Sequence, residues 1–323
     1  GCTDQGTSAV AVGDLAGRNA QGDKATAVGD NAGLNAQGTK SVAVGHYAGQ
    51  ASQGDNSVAV GDVAGSNAQG NASVAIGNAA ARLTQGTLAV AVGAEAGCNV
   101  QGDYSVAVGY RSGCADQGLE AVAIGSTAGC DSQDAYAVAI GSQAGRLDQG
   151  TYAVAIGYTA GCDDQGYYSV AIGTGAGKLD QGQYSVAIGN EAACDNQGNF
   201  CVAIGREAGE TNQHNNTVVI SAQGTALNTN ATDRFFVRKL RMIGAMSYDN
   251  SGEIRGNSSD DRVKYNETYI KNALKTIMKL KPQTYDKTPG LDSNTYVEHH
   301  ESGFMSQDIW YDVPEMKHIV LLA

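Results

Sequence analysis

Proline is nearly missing: the 323 residues contain three, Pro282, Pro289 and Pro314, all in the last part of the chain. There is one tryptophan, Trp310, and only four phenylalanines. No apolar run approaches the roughly 20 residues of a membrane-spanning helix, so no membrane insertion is expected. Positive charge is also scarce. The net charge is −12; residues 1–220 hold 8 of the 21 Lys+Arg and 20 of the 33 Asp+Glu, and the remaining 103 hold 13 of each. An acidic stretch of that length lacks the basic stripe that nucleic acid requires. There is no Cys-x-x-Cys pair or recurring histidine, so neither metal nor cofactor is expected. The first residues, Gly1-Cys2-Thr3-Asp4, have no signal-peptide character.

Glycine, by contrast, is abundant and periodic. The glycine that closes Val-Ala-Val/Ile-Gly falls at 13, 29, 45, 61, 77, 93, 109, 125, 141, 157, 173, 189 and 205, thirteen copies without insertion or deletion, of which one opens on Thr26 instead of valine. A glutamine lies eight residues before each, nearly always as Gln-Gly, and an Ala-Gly pair usually follows four residues after. The chain begins partway through a unit, so its natural start is expected upstream. A short fixed period marks each unit as a rung that must stack on its neighbours.

Sixteen residues are too few for a helix–turn–helix rung, and glycine at this frequency breaks helices. Two short strands and two tight turns fit. Stacked rungs then give parallel ladders about 4.8 Å apart and a rod on the order of 60 Å long. Because Val186 and Ile188 are two residues apart, they share one face of their strand and Ala187 takes the other. The Val/Ile pair is expected inward and the alanine outward. Ordering sixteen backbones per rung costs more than two such side chains return, so further burial between chains, and hence an oligomer, is expected.

The rung resembles the head repeat of YadA-like trimeric adhesins, whose signature is Asn-Ser-Val-Ala-Ile-Gly. Here it reads Asn56-Ser57-Val58-Ala59-Val60-Gly61 and Tyr168-Ser169-Val170-Ala171-Ile172-Gly173. The resemblance covers residues 1–221 and implies a mainly β fold: a left-handed parallel β-roll, three chains side by side, in an attachment protein. The period departs from the family, whose rungs are often a residue or two shorter; the Gln-Gly corner accounts for the difference.

Several columns run along such a rod. Cys98, Cys114, Cys130, Cys162 and Cys194, with Cys2, all sit five residues after the rung glycine. Neighbouring rungs bring Cys98, Cys114 and Cys130 within disulfide range; a row of small reduced residues at a tight corner is the favoured reading. From Cys130 onward the corner alternates: Cys130-Asp131, Arg146-Leu147, Cys162-Asp163, Lys178-Leu179, Cys194-Asp195. The alternation sets cations between acidic neighbours and holds register. Tyr136, Tyr152, Tyr168, Tyr184 and Phe200 recur five before the glycine and are expected to stack, with glycan or protein binding the lesser alternative. Gly173-Thr174-Gly175-Ala176-Gly177-Lys178 is not a phosphate loop, because Ile172 stands where its first glycine belongs.

The fourteenth copy, Asn216 to Ser221, loses its glycine, as expected of a terminal repeat. Residues 222–258 read as a β-stalk, with strands at Phe235-Phe236-Val237-Arg238 and Leu240-Arg241-Met242-Ile243 and a hairpin from Tyr248 to Ile254. Asn266 to Lys281 reads as a helix stopped by Pro282. Ser259-Asp260-Asp261-Arg262-Val263-Lys264 resembles the Ser-Asp-x-Arg-x-Lys signature of the self-cleaving intramolecular chaperone domain that ends endosialidase-type phage tailspikes. Leu280 to Asp286, Gly303 to Asp308 and Val313-Pro314-Glu315 agree with it. Over 259–323 the resemblance implies a small α+β module, shortened because the family's long C-terminal helices are missing. Tyr265 also replaces the usual acidic or small residue. It further implies cleavage between Ser258 and Ser259, with Ser259 as nucleophile and Lys264 as base. Asp260 and Arg262 would be auxiliary. His299, His300 and His318 show no ligand spacing.

The expected protein is a homotrimeric virion-surface or extracellular fibre that meets a host-surface glycan or protein receptor. Its only enzymatic step would be self-cleavage in cis. A bacterial surface adhesin would need a membrane anchor. A purely structural fibre would have no receptor. A glycan depolymerase would need paired carboxylates in a cleft, and a uniform rod offers columns instead.

Overall fold

The computed structural model describes residues 4–221 and 225–237, the strands Met246–Tyr248, Ile254–Gly256, Pro282–Lys287 and His299–Phe304, and residues 275, 278–280 and 311. Contacts divide the chain into two units, Gly1–Arg241 and Met242–Ala323.

The first unit is a parallel β-solenoid with one rung per sixteen residues. One sheet has fifteen strands, from Val10–Val12 to Phe235–Val237. The other has eleven, from Ser52–Gln53 to Thr211–Gln213, and is continued toward the N-terminus by single bridges linking Gln5, Gln21, Gln37 and Gln53. Register never slips: Val170 pairs with Val186 and Val186 with Val202, while Gln165 pairs with Gln181 and Gln181 with Gln197. In the second sheet the strands are two residues long up to Val100–Gln101 and three from Ala115–Gln117 onward. Phe235–Val237, expected as the first stalk strand, pairs in parallel with Val218–Ile220 and so extends the solenoid sheet.

The direction of the side chains reverses the expectation. Ala187 is fully buried, whereas Val186 is half-buried and Ile188 is 36% exposed. The same holds from rung to rung: the alanines form the core and the Val/Ile pairs point outward. The reason is cross-section. A Cβ added to Gly49, which lies at φ +54°, would fall 2.7 Å from Gln53 Oε1 and 3.2 Å from Ala43 Cβ. Through the thirteen full rungs, two sheets closed by such short turns leave room only for alanine opposite a flat amide; the terminal copy, where Val219 is buried and Phe236 packs against the core, is the exception. The rung glycine is required for a similar reason. At Gly189 (φ +132°) a Cβ would meet Gly205 O at 2.6 Å.

Glutamine occupies the remaining interior. Gln101, Gln117, Gln133, Gln149, Gln165, Gln181 and Gln197 are among the largest fully buried side chains. Each reaches across the core: Gln181 Nε2 donates to Val170 O at 3.0 Å and to Gln197 Oε1 of the next rung at 3.0 Å. Buried polar groups are as a rule hydrogen-bonded, and from Gln117 to Gln213 the repeat links these amides by repetition.

In the second unit, Met246–Tyr248 pairs antiparallel with Ile254–Gly256, and Pro282–Lys287 pairs antiparallel with His299–Phe304. The expected strand at 240–243, and nearly all of the expected helix from Asn266 to Lys281, lie outside the described residues.

Candidate interaction surface

Ser258, Ser259, Asp260, Arg262 and Lys264 all lie outside the described residues. The surfaces that the structure does place are columns on the solenoid.

The broadest is apolar. Because alanine takes the interior, the outward face of the fifteen-stranded sheet carries Val and Ile from every rung, with Ile76, Ile124, Ile140, Ile188, Ile204 and Ile220 all exposed. Parallel pairing at constant register lines them up along the whole rod. A contiguous apolar face this long marks an interaction surface.

Beside it runs the aromatic column, and here the expectation of a stack is met. Ring centroids are 4.8 Å apart for Tyr136–Tyr152, 4.9 Å for Tyr152–Tyr168, 5.4 Å for Tyr168–Tyr184 and 5.2 Å for Tyr184–Phe200, with interplanar angles of 3–16°. Tyr167 meets Tyr168 and Tyr184 edge-on. These residues sit in a turn at positive φ, +54° at Tyr168 and +57° at Phe200, a conformation that costs a bulky residue energy. Stacking offsets that cost. It also commits the ring faces to each other, leaving edges and phenol oxygens for solvent.

The cysteine row is reduced. Cys98, Cys114 and Cys130 cluster, buried and free, in successive rungs. The Cys130 thiol donates to Asp131 Oδ1 at 3.7 Å. The neighbouring Cys130 and Arg111 lower the Cys114 thiol despite burial, while Cys114 and burial raise Cys130. Burial also raises Cys98, Cys162 and Cys194.

The charge alternation is present at one step: Arg146 Nη2 lies 3.0 Å from Asp163 Oδ1, one rung on. Lys178 forms no ion pair among the described residues. One column over, Asp148, Asp164 and Asp180 follow one another with no cation between them. The Asp164 carboxyl, although exposed, is raised from its ordinary value by partial desolvation and by these two neighbours. This acidic column is as regular in the sequence as the others. The glutamines, expected only at a corner, form a buried ladder, and their recurrence at thirteen positions is the signal for it. Among the described residues no His, Cys, Asp or Glu group could hold a metal ion, and no helix is long and apolar enough to cross a membrane.

Two families match the chain. The YadA head domain repeat, described as two copies, matches residues 20–48, 36–64 and 85–112. The chaperone of endosialidase matches residues 259–318. No curated protein and no solved structure matches.

Proposed function

We propose that these YadA-type head repeats and this endosialidase-type chaperone segment form one protomer of a homotrimeric, surface-exposed fibre that mediates attachment, on a virion in our reading. The observation that carries the proposal is the outward Val/Ile face of the solenoid. A lone rod would leave that face in water along its length, whereas three parallel rods can turn it toward a common axis and close with cyclic symmetry. The acidic corners then remain outside, where they keep the fibre soluble. Light scattering on the full chain should give three times the chain mass. A stable monomer at micromolar concentration would overturn the assembly. Glycan arrays and cell-binding assays on the assembled protein test the attachment role; binding to neither would leave a purely structural fibre.

The C-terminal segment is proposed to drive assembly and then cut itself away. The Ser259 hydroxyl attacks the Ser258 carbonyl carbon, and Lys264 takes the hydroxyl proton. The Ser259 amide nitrogen leaves as the amine, taking that proton back from Lys264, and water hydrolyses the resulting ester to the Ser258 carboxylate and the free Ser259 hydroxyl. A lysine accepts a proton only when burial keeps it neutral, and packing of three chains supplies that burial, so cleavage reports correct assembly. Asp260 and Arg262 position the loop. Mass spectrometry should find a product ending at Ser258, and Ser259→Ala and Lys264→Ala should each leave the chain full length. Efficient cleavage in either variant refutes the dyad.

A further inference from the structure

The phenol rings of Tyr136, Tyr152, Tyr168 and Tyr184 form an uninterrupted run of four in consecutive rungs, closed at one end by Phe200, which has no phenol. At the other end the column holds Glu120. The turn fixes each ring's backbone at positive φ, and the ladder register holds every ring opposite its neighbour, so the rings cannot drift out of line. Each is nonetheless open to solvent, with Tyr168 50% exposed. An oxidant can reach the phenol, and its proton can leave to water. Tyr104, Tyr110 and Tyr158 are more exposed still, at 53–56%, but none contacts another ring among the described residues. Exposure and adjacency therefore point to different tyrosines.

We propose that this tyrosine ladder is a site of oxidative cross-linking, at which a haem peroxidase using hydrogen peroxide joins successive rungs of one chain as dityrosine. Each of two neighbouring phenols gives up one electron and one proton, leaving two phenoxyl radicals whose unpaired density lies partly on the ring carbons beside the oxygen. Those two carbons form a C–C bond. Each then passes its hydrogen to the phenoxyl oxygen, which restores two aromatic phenols. In total two ring C–H bonds are lost and one C–C bond forms. The peroxide O–O bond is cleaved, and two waters carry away the four hydrogens' balance, two from peroxide and two from the phenols. A neighbour held one ring-stack away outcompetes any phenol that must arrive by diffusion. The product is a staple across one sixteen-residue rung, which restricts the unfolded chain as a disulfide would.

The test treats the full-length protein with haem peroxidase and hydrogen peroxide, then digests it and maps cross-links by mass spectrometry. The expected products join Tyr136–Tyr152, Tyr152–Tyr168 or Tyr168–Tyr184, lose two hydrogens per link and run as single chains on a denaturing gel. The variant Tyr152→Phe/Tyr167→Phe/Tyr184→Phe keeps every ring but leaves no two phenols of the ladder adjacent. It should lose the intrachain dityrosine fluorescence while keeping its β-sheet circular dichroism. Cross-links concentrated at Tyr104, Tyr110 and Tyr158, links that join separate chains, or undiminished fluorescence in the variant would overturn the proposal.

Discussion

Gln165 Nε2 lies 3.0 Å from Gln181 Oε1, one rung above it, and also donates to Val154 O across the core at 3.0 Å. From Gln117 to Gln213 the same hand-on repeats without a break. In the earlier rungs the carbonyl oxygens of Gln21, Gln37, Gln53 and Gln69 have no partner. Gln165→Leu would strand several buried polar groups at about 1–3 kcal/mol each. Gln37→Leu breaks only the bond to Thr26 O. Chemical denaturation should therefore find the Gln165 variant the less stable of the two.

The stacked tyrosines set ring attraction against backbone strain, and substitution at Tyr168 separates them. Tyr168→Ala removes both stacking partners, worth about 0.5–1.5 kcal/mol per pair, but keeps a side chain ill-suited to positive φ. Tyr168→Asn removes the same stacking but tolerates the turn. Thermal melts should rank the native chain first, the asparagine variant second and the alanine variant last.

If the Val/Ile face joins chains, a charge placed on it will separate them and leave each rung's interior intact. Ile188→Asp with Ile204→Asp should shift the mass from trimer to monomer in light scattering while the β-sheet circular dichroism persists. Loss of sheet signal together with mass would instead place these residues in the fold of the single chain.

Asp164 gives a pH dependence with a definite sign. Its carboxyl is exposed, but partial desolvation and the charges of Asp148, Asp180 and Asp163 raise it in the folded chain. The folded state therefore holds its proton more tightly than the unfolded one, and the charged form costs stability at neutral pH. The cost fades as pH falls through the folded value and vanishes below the unfolded one, about 3.9. Asp164→Asn should melt higher than the native chain at pH 7, and that advantage should disappear in acid.

The period, the two strands per rung and the aromatic stack were legible because each depends on spacing, and spacing survives without coordinates. Which side faced inward was not. Val186-Ala187-Ile188 alternates equally well either way, and hydrophobicity alone favours the larger pair inside. The deciding quantity is the gap between two sheets, set by turns whose geometry the alternation does not encode. A hint was present in the constancy of the middle alanine beside the free exchange of Val for Ile, as in Val58-Ala59-Val60 and Val74-Ala75-Ile76. A position that holds alanine through thirteen rungs, and valine (Val219) only in the terminal copy, is a tight one.

Thirteen rungs of equal length also make the rod a ruler. Inserting or removing sixteen residues would change its reach by one strand spacing, about 4.8 Å, and every column would close up as before. Any other number would shear all of the columns at once: amide from amide, ring from ring, alanine out of the core. Length in such a molecule can change only in whole graduations. Duplication of one unit is then enough to lengthen the rod by one such step.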